Sequence, residues 1–367
     1  MSRSCKLRST SMAIPPDHVP RKPDLGLGAP SPRVSPVSRR LVVLGLGSIG
    51  RRHARLLTER SDLQVEGCEC AAGAQVKARA EMPGMVIHPN MEAALAARPD
   101  VVVIATPHDL HAAQSLAAMR AGSHVLCEKP LCVDPNQAAQ MIACARDMNR
   151  HLGVGFQLHF HPGIMRLREL IRQGAIGEVV HVHGRIGSFI TLRNSASRYQ
   201  QTMKGALLLD YAHQPDLIFW LLGLLPAGVT LTGLEAPNLP LSSNPNVMAL
   251  SLDYDRPLLA TVHLNYLQMP QRHEWEIVGD RGWIVMDADR GTLRIGRRDS
   301  ESESTETVAV DRDLTYRREH QAFIDCLDGL SGPESSGEAA ARSVELFTMA
   351  MQSWDEQRRI PCKWRVY

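Results

Sequence analysis

Apolar positions along the chain follow two regimes. From Leu41 to about Gln157, short apolar runs alternate with stretches whose apolar residues recur at helical spacing; from Glu178 onward, apolar and polar residues largely alternate one by one. A strand covered on both faces reads as a continuous apolar run, so the first regime predicts a parallel sheet wound with crossover helices. Its strands are expected at Leu41–Leu46, Leu63–Glu69, Met85–His88, Asp100–Ala105, His124–Cys127 and Gly153–Phe156, with helices beginning near Ile49, Ala72, Asn90, Asp109 and Asp134. A helix over Gly163–Gln173 leads into the second regime, whose period of two predicts strands covered on one face only. Turn sequences at Asp253–Pro257, Gly279–Gly282 and Asp289–Gly291 divide Gly228–Val310 into what reads as a meander, with Ser300–Thr307 as a polar, acidic loop. Two amphipathic helices, near Tyr316–Leu330 and Glu338–Gln357, close the chain. The expected fold class is α/β: a doubly wound parallel sheet over 40–157, then a 158–367 domain with a large open, mostly antiparallel sheet.

Residues 1–39 are rich in Pro, Ser and basic side chains, and are expected to form a disordered tail. Ser38-Arg39-Arg40 ahead of an apolar run resembles an export signal, but that run is the strand carrying the first glycines described below. Composition excludes several classes. With 44% hydrophobic and 22% charged residues and a formal net charge of +2, a large core is feasible and phosphate-driven nucleic-acid binding is not expected. No apolar run approaches the ~20 residues of a membrane span. The eight cysteines show no paired spacing and read as thiols of a reducing, cytoplasmic compartment.

The chemistry begins at Leu41–Leu44, which feeds Gly45-x-Gly47-x-x-Gly50 and then a helical pattern. The first glycine makes the turn and the second lets backbone approach a pyrophosphate. The third lets strand and helix pack closely, with Ser48 and Ile49 at the helix start where free N–H groups face the phosphates. Glu69 closes the next apolar run, near the offset of ~20 expected for a carboxylate that holds the adenosine ribose. That carboxylate favours NAD; Arg51 and Arg52 leave NADP open. Thr106-Pro107 follows the next strand and Glu128-Lys129-Pro130 the one after, so all these residues fall on one sheet edge, where such sheets bind ligands. Pro130 biases Lys129 toward an extended backbone projecting from the strand end. There it either faces a nicotinamide, whose positive charge would lower the lysine pKa for proton transfer, or pairs with Glu128 in solvent.

Two further groups stand out. His181, His183 and Arg185 share one strand face and lack a third nearby anionic ligand, so they read as an oligomer contact or a wet sheet surface, and no metal site is expected. In Gly205–Gly223, Pro215 suits a first helical turn and Gly223 a helix stop. Asp210 is then either an N-cap or the group that orients His213, an acid/base imidazole.

Four stretches together resemble the Gfo/Idh/MocA oxidoreductases: 45–53, Ala-Thr-Pro-x-x-x-His at 105–111, the 121–131 stretch ending Glu-Lys-Pro-Leu, and His-x-x-Asp-Leu-x-x-Trp-Leu-x-Gly at 213–223. The resemblance runs from about Arg40 to the C-terminus. It implies an N-terminal Rossmann domain that uses Gly45, Gly47, Ser48, Ile49, Gly50, Glu69, Thr106, Pro107, His111, Glu128 and Lys129 for NAD(P), and a C-terminal α/β domain whose open sheet supports a homodimer or homotetramer. It also implies hydride transfer at a carbinol or carbonyl of a sugar, cyclitol or sugar derivative, with Lys129 and His213 catalytic and Asp210 their partner. The chain departs from the family pattern: Leu209 stands where many members carry the catalytic aspartate, and Gln214 where many carry glutamate. The Ile190–Lys204 stretch, which includes the candidate substrate contacts Arg193, Arg198 and Tyr199, matches no known pattern. An NAD-dependent glycoside hydrolase and a non-catalytic sugar-binding regulator remain as alternatives on the same scaffold.

Overall fold

The computed structural model describes residues 38–194, 199–237 and 245–367, so the expected tail up to Val37 and the candidate Arg198 lie outside the described residues. The first sheet contains β1 (Arg39–Leu44), β2 (Leu63–Cys68), β3 (Ile87–His88), β4 (Val101–Ile104), β5 (His124–Glu128) and β6 (Leu152–Gly155), all parallel, in the order β3-β2-β1-β4-β5-β6. Order reverses between β1 and β4, the place where such sheets open a crevice. Val101–Ile104 is buried throughout because helices cover both faces. These helices are α1 (Ser48–Thr58), α2 (Ala72–Glu81), α3 (Met91–Ala96), α4 (His111–Arg120) and α5 (Pro135–Asp147). Asn90 and Asp134 cap α3 and α5 with their side chains.

After α6 (Pro162–Arg172) comes the second sheet: β7 (Val179–Gly187), β8 (Gly228–Leu234), β9 (Val247–Asp253), β10 (Leu259–Asn265), β11 (Arg272–Gly279), β12 (Gly282–Asp287), β13 (Thr292–Arg297), β14 (Ser302–Thr307) and β15 (Ile360–Pro361). Its order is β14-β13-β12-β11-β7-β10-β9-β8-β15. Two expectations are corrected here. The strands after Gly228 are not one meander, because β7 lies between β10 and β11, parallel to the former and antiparallel to the latter. Alternation reveals which residues form strands but not which strands pair. Ser302–Thr307 is an edge strand and not a loop; it is wet on nearly its whole length, so it shows no apolar alternation. Short helices α7 (Phe189–Asn194) and α8 (Ala206–Asp210) precede α9 (His213–Leu222), which ends at Gly223 in the left-handed conformation as expected.

One face of this sheet packs Trp275, Tyr266 and Ile277 against Leu217 and Leu346. On the half-exposed face, His183 Nδ1 lies 2.8 Å from Thr261 Oγ1, the pairing of a wet surface. The chain then returns to the first sheet through α10 (Arg312–Leu327) and α11 (Gly337–Glu356). Phe323 and Ile324 join the core formed by Leu41, Val43 and Leu126, while Ala340, Ala341 and Val344 pack with Met141 and Ile142. Gly153 lies directly under Phe323, where a Cβ would come within 2.8 Å of the ring. Among the described residues, no helix is long and apolar enough to cross a membrane, and all seven cysteines are free.

Phe323→Ala therefore opens the first sheet's core from a helix some 170 residues downstream of β6. It should destabilise the protein by about 3–5 kcal/mol in denaturant titration. A loss under about 1 kcal/mol would show that α10 does not complete that core.

Candidate active site at the rim of the first sheet

Gly45 has φ of +83°, and a Cβ there would lie 2.9 Å from the Ala105 carbonyl oxygen and the Thr106 side chain. Gly50 sits beneath it, where a Cβ would fall 1.7 Å from the Gly45 carbonyl oxygen. Gly47 differs: a Cβ there meets nothing within 4 Å. It precedes α1, whose first turn has neither a side-chain cap nor an acidic residue. Ser48 is exposed and Ile49 half-buried at this open helix start. Free N–H groups and the positive dipole end thus lie beside open space at Gly47, the arrangement that suits a pyrophosphate. Glu69 is held beside the glycine turn, one oxygen accepting the Leu46 N–H at 2.8 Å and the other the Ala71 N–H at 2.8 Å. Arg51 and Arg52 of α1 are engaged elsewhere. Arg51 holds Glu81 at 2.9 Å and the Leu46 carbonyl at 3.0 Å, and Arg52 reaches Asp313 at 3.2 Å across the Tyr316 ring.

Beyond β4, Thr106 donates to Gln114 at 2.6 Å and Pro107 is exposed. His111 and Glu128 lie behind the rim. The ring nitrogens of His111 are 2.8 and 3.0 Å from the Pro130 and Thr106 carbonyl oxygens, tying two rim turns together. Glu128 contacts His53 Nε2 at 2.9 Å and accepts the Lys129 N–H at 3.1 Å. Burial opposes its charge, but the hydrogen bond from His53 and the nearby Lys129 charge outweigh that and lower its pKa.

Lys129 crosses to the second sheet's side, its Nζ donating to the Asp210 carbonyl at 2.8 Å. The Asp210 carboxylate accepts from the hydroxyls of Tyr199 and Tyr266 and from Gln200 Nε2 at 3.1 Å. Asp210 thus neither caps α9, which follows Ala212, nor orients His213. Two tyrosines supply better-placed donors, and the break at Tyr211–Ala212 separates Asp210 from the helix. His213 is nearly buried, its ring edge-on to Phe156 at 5.4 Å and its Nδ1 without a partner. Burial, then the charges of Lys129, His159, His273 and Arg312, push its pKa well below the ordinary imidazole value. His213 is therefore neutral and free to accept a proton.

Three groups of the site had no role in the sequence reading. His108 packs edge-on to Tyr199 at 4.4 Å. Tyr266, which follows β10, has no local signal at all. His159 Nε2 lies 2.6 Å from Asp216; the His-x-x-Asp spacing of 213–216 was the available sign, but it gave no partner. Arg193 is exposed.

A glycine cradle at a switch point, with a rim lysine bonded to the segment just ahead of a buried histidine, invites comparison with known proteins. A family model described as an oxidoreductase family with an NAD-binding Rossmann fold matches residues 39–156, and the Gfo/Idh/MocA C-terminal domain model matches residues 164–285. The chain belongs to the Gfo/Idh/MocA oxidoreductases. Inositol 2-dehydrogenase of Corynebacterium glutamicum is 26% identical over 331 residues, covering 86% of this chain and 94% of that protein. 2,7-Anhydro-N-acetylneuraminate hydratase of Escherichia coli is 27% identical over 202 residues, so the chain spans about half of that relative (54%). A levoglucosan dehydrogenase solved with NADH superposes with a TM-score of 0.79 at 18% identity, covering 89% of this chain and 98% of that one; at that identity the likeness shows the fold. As a Gfo/Idh/MocA oxidoreductase the chain uses NAD, and its rim offers what that cofactor requires: an open glycine at a bare helix N-terminus and a carboxylate at the end of β2.

The two glycines separate fold from ligand. Gly47→Ala should keep wild-type stability yet weaken NADH binding, because its methyl group occupies only the ligand's space. Gly50→Ala displaces backbone at about 1–3 kcal/mol, and should weaken NADH binding about tenfold or more and lower stability as well. Fluorescence titration with NADH and thermal melts check both; unchanged affinity in Gly47→Ala would place the pyrophosphate elsewhere.

Proposed function

We propose that this oxidoreductase moves hydride between NAD and a secondary carbinol of a sugar, cyclitol or sugar derivative, with His213 as acid/base and Lys129 as the cation at the reacting oxygen. The observation that carries this reading is the hydrogen bond from Lys129 Nζ to the Asp210 carbonyl, which brings the rim lysine to the segment that delivers His213. The names of the inositol and levoglucosan dehydrogenases support the substrate class. Bound NAD supplies the acceptor for the hydride that leaves the carbinol carbon. In that direction His213, being neutral, takes the hydroxyl proton while the carbinol becomes a carbonyl. An ammonium has three donors, so Lys129 keeps two for the substrate oxygen and the negative charge that develops on it. Asp210 acts through Lys129: clamped by two tyrosines, it fixes the carbonyl that aims the amine, and is a positioning residue. Glu69 repels a 2′-phosphate and both nearby arginines are engaged, which favours NAD over NADP. The half-exposed face of the second sheet suits a homodimer or homotetramer contact, and unpaired thiols suit a cytoplasmic enzyme.

Lys129→Met and His213→Asn should each lower kcat by about 10²–10⁴ while NADH affinity stays within about threefold. Wild-type turnover in either variant removes that residue from the mechanism. Because the His213 pKa is lowered, the neutral base persists below pH 6.5. The acid limb of kcat/KM for carbinol oxidation should therefore lie below that value, with activity lost only as pH falls through the depressed pKa; a limb at or above 6.5 would assign the base elsewhere. Incubation with NAD and a panel of inositols, pyranosides and anhydrosugars should yield NADH. Substrate conversion without net NADH would instead indicate transient oxidation, and no conversion at all would overturn the reading.

A further inference from the structure

Behind the rim, residues far apart in sequence meet at one buried point. His53 lies on α1, the helix that follows the glycine loop; Glu319 and His320 are adjacent on α10. Their exposures are 0%, 3% and 3%. His53 Nδ1 is 2.7 Å from His320 Nε2, and one donor atom from each of the three residues lies within 4.8 Å of the other two. Both carboxylate oxygens of Glu319 are buried with no hydrogen-bond partner. A buried carboxyl group left unpaired is costly, since nothing replaces its lost hydration. On the far side of His53, Nε2 faces Glu128 Oε1 at 2.9 Å.

We propose that His53, His320 and Glu319 form a site for one divalent cation of the zinc class. Two imidazoles and one carboxylate suit Zn²⁺ or Co²⁺, with water as a fourth ligand; Mg²⁺ and Ca²⁺ need a mostly oxygen shell that this point lacks. Glu128 supplies the carboxylate that metal-bound histidines carry behind them: it holds the His53 proton on Nε2 and leaves the Nδ1 lone pair facing the cluster. Without metal, His320 Nε2 keeps a proton that it donates to His53 Nδ1. The cation takes that proton's place on Nε2, the proton moving to Nδ1 as the neutral His320 changes tautomer, and a proton is released only from Glu319 if it is protonated. Metal–nitrogen bonds of about 2.0–2.1 Å in a tetrahedron put the two nitrogens roughly 3.4 Å apart, so the rings must open by about 0.7 Å. Glu319, the unpaired group, gains a positive partner. The ion links α1 to α10, and through Glu128 it reaches the backbone N–H of Lys129.

The test uses the full chain with NAD bound, free of any affinity tag and stripped by chelator, with Co²⁺ alone as the probe. The expected result is uptake of one Co²⁺ per chain, with the visible absorption of a tetrahedral site, displaced by Zn²⁺ and unaffected by Mg²⁺. At a hundredfold excess over Kd the unfolding midpoint should rise by about 4 °C. Glu319→Gln and His320→Ala should each weaken Co²⁺ binding by more than about tenfold; Glu319→Gln keeps the side-chain volume and so serves if His320→Ala fails to fold. The half-exposed His181/His183 pair is the competing site, and its double alanine variant should keep the band. A folded wild type without the band, a band unchanged in Glu319→Gln, or a band lost only with His181 and His183 overturns the proposal. None of these readouts depends on turnover, so the proposed reaction and this site fail separately.

Discussion

The hydrogen bond from the Lys129 ammonium to the Asp210 carbonyl joins the two sheets at the point where chemistry occurs. It demands that a strand end and a helix break, 81 residues apart, be held to within a few tenths of an ångström. The strand end is fixed by position: β5 lies inside the parallel sheet, paired with β4 and β6. The helix break is fixed by the Asp210 side chain. Burying a carboxylate is costly in isolation, but three donors from two segments converge on it, namely Tyr199 and Gln200 from one and Tyr266 from the other. Tyr266 follows β10 directly, so the central strands of the second sheet set where the Asp210 carbonyl sits. The large sheet is thereby a ruler for the lysine as well as a surface.

The histidines around that point divide by what faces them. His159 is committed, paired with Asp216 and stacked on Trp220 at 4.5 Å, with Arg168 on that indole at 3.6 Å. Asp216 has its pKa raised by burial, which the contact with His159 only partly opposes. His213 has no hydrogen-bond partner at Nδ1, and burial, then the positive charges around it, lower its pKa, so it loses its proton readily. These two nearly buried imidazoles are thus in opposite circumstances, and of the two only His213 is suited to exchange protons with a bound hydroxyl.

What was legible in the sequence is what local chemistry decides. Gly45, Gly47, Gly50 and Glu69 sit where their spacing put them, because strand, turn and helix start are set within a few residues. Asn90, Asp134 and Gly223 marked helix ends for the same reason. What could not be read depends on partners chosen across the fold. Nothing near Asp210 reveals that Tyr266 will reach it, so an N-cap or a His213 partner looked natural. The place of β7 between β10 and β11 is invisible to a period of two. The His53–Glu319–His320 cluster draws on positions 267 residues apart, so no ligand spacing could announce it.

Lys129 is constrained from both ends of its own residue. In front, its ammonium is held by the Asp210 carbonyl; behind, its backbone N–H is held by Glu128, which His53 in turn grips. A side chain of four methylenes loses about 2 kcal/mol of rotamer freedom when fixed, and anchoring the backbone beside it limits how far that fixation must extend. The rear anchor is supplied by α1 and faces α10, a helix that begins more than 180 residues after Lys129 and packs Phe323 under the same sheet. The aim of the lysine therefore rests on the C-terminal return of the chain as much as on the strand that carries it. That return ties α10 to the first sheet's core, so the packing that stabilises the fold also positions the amine.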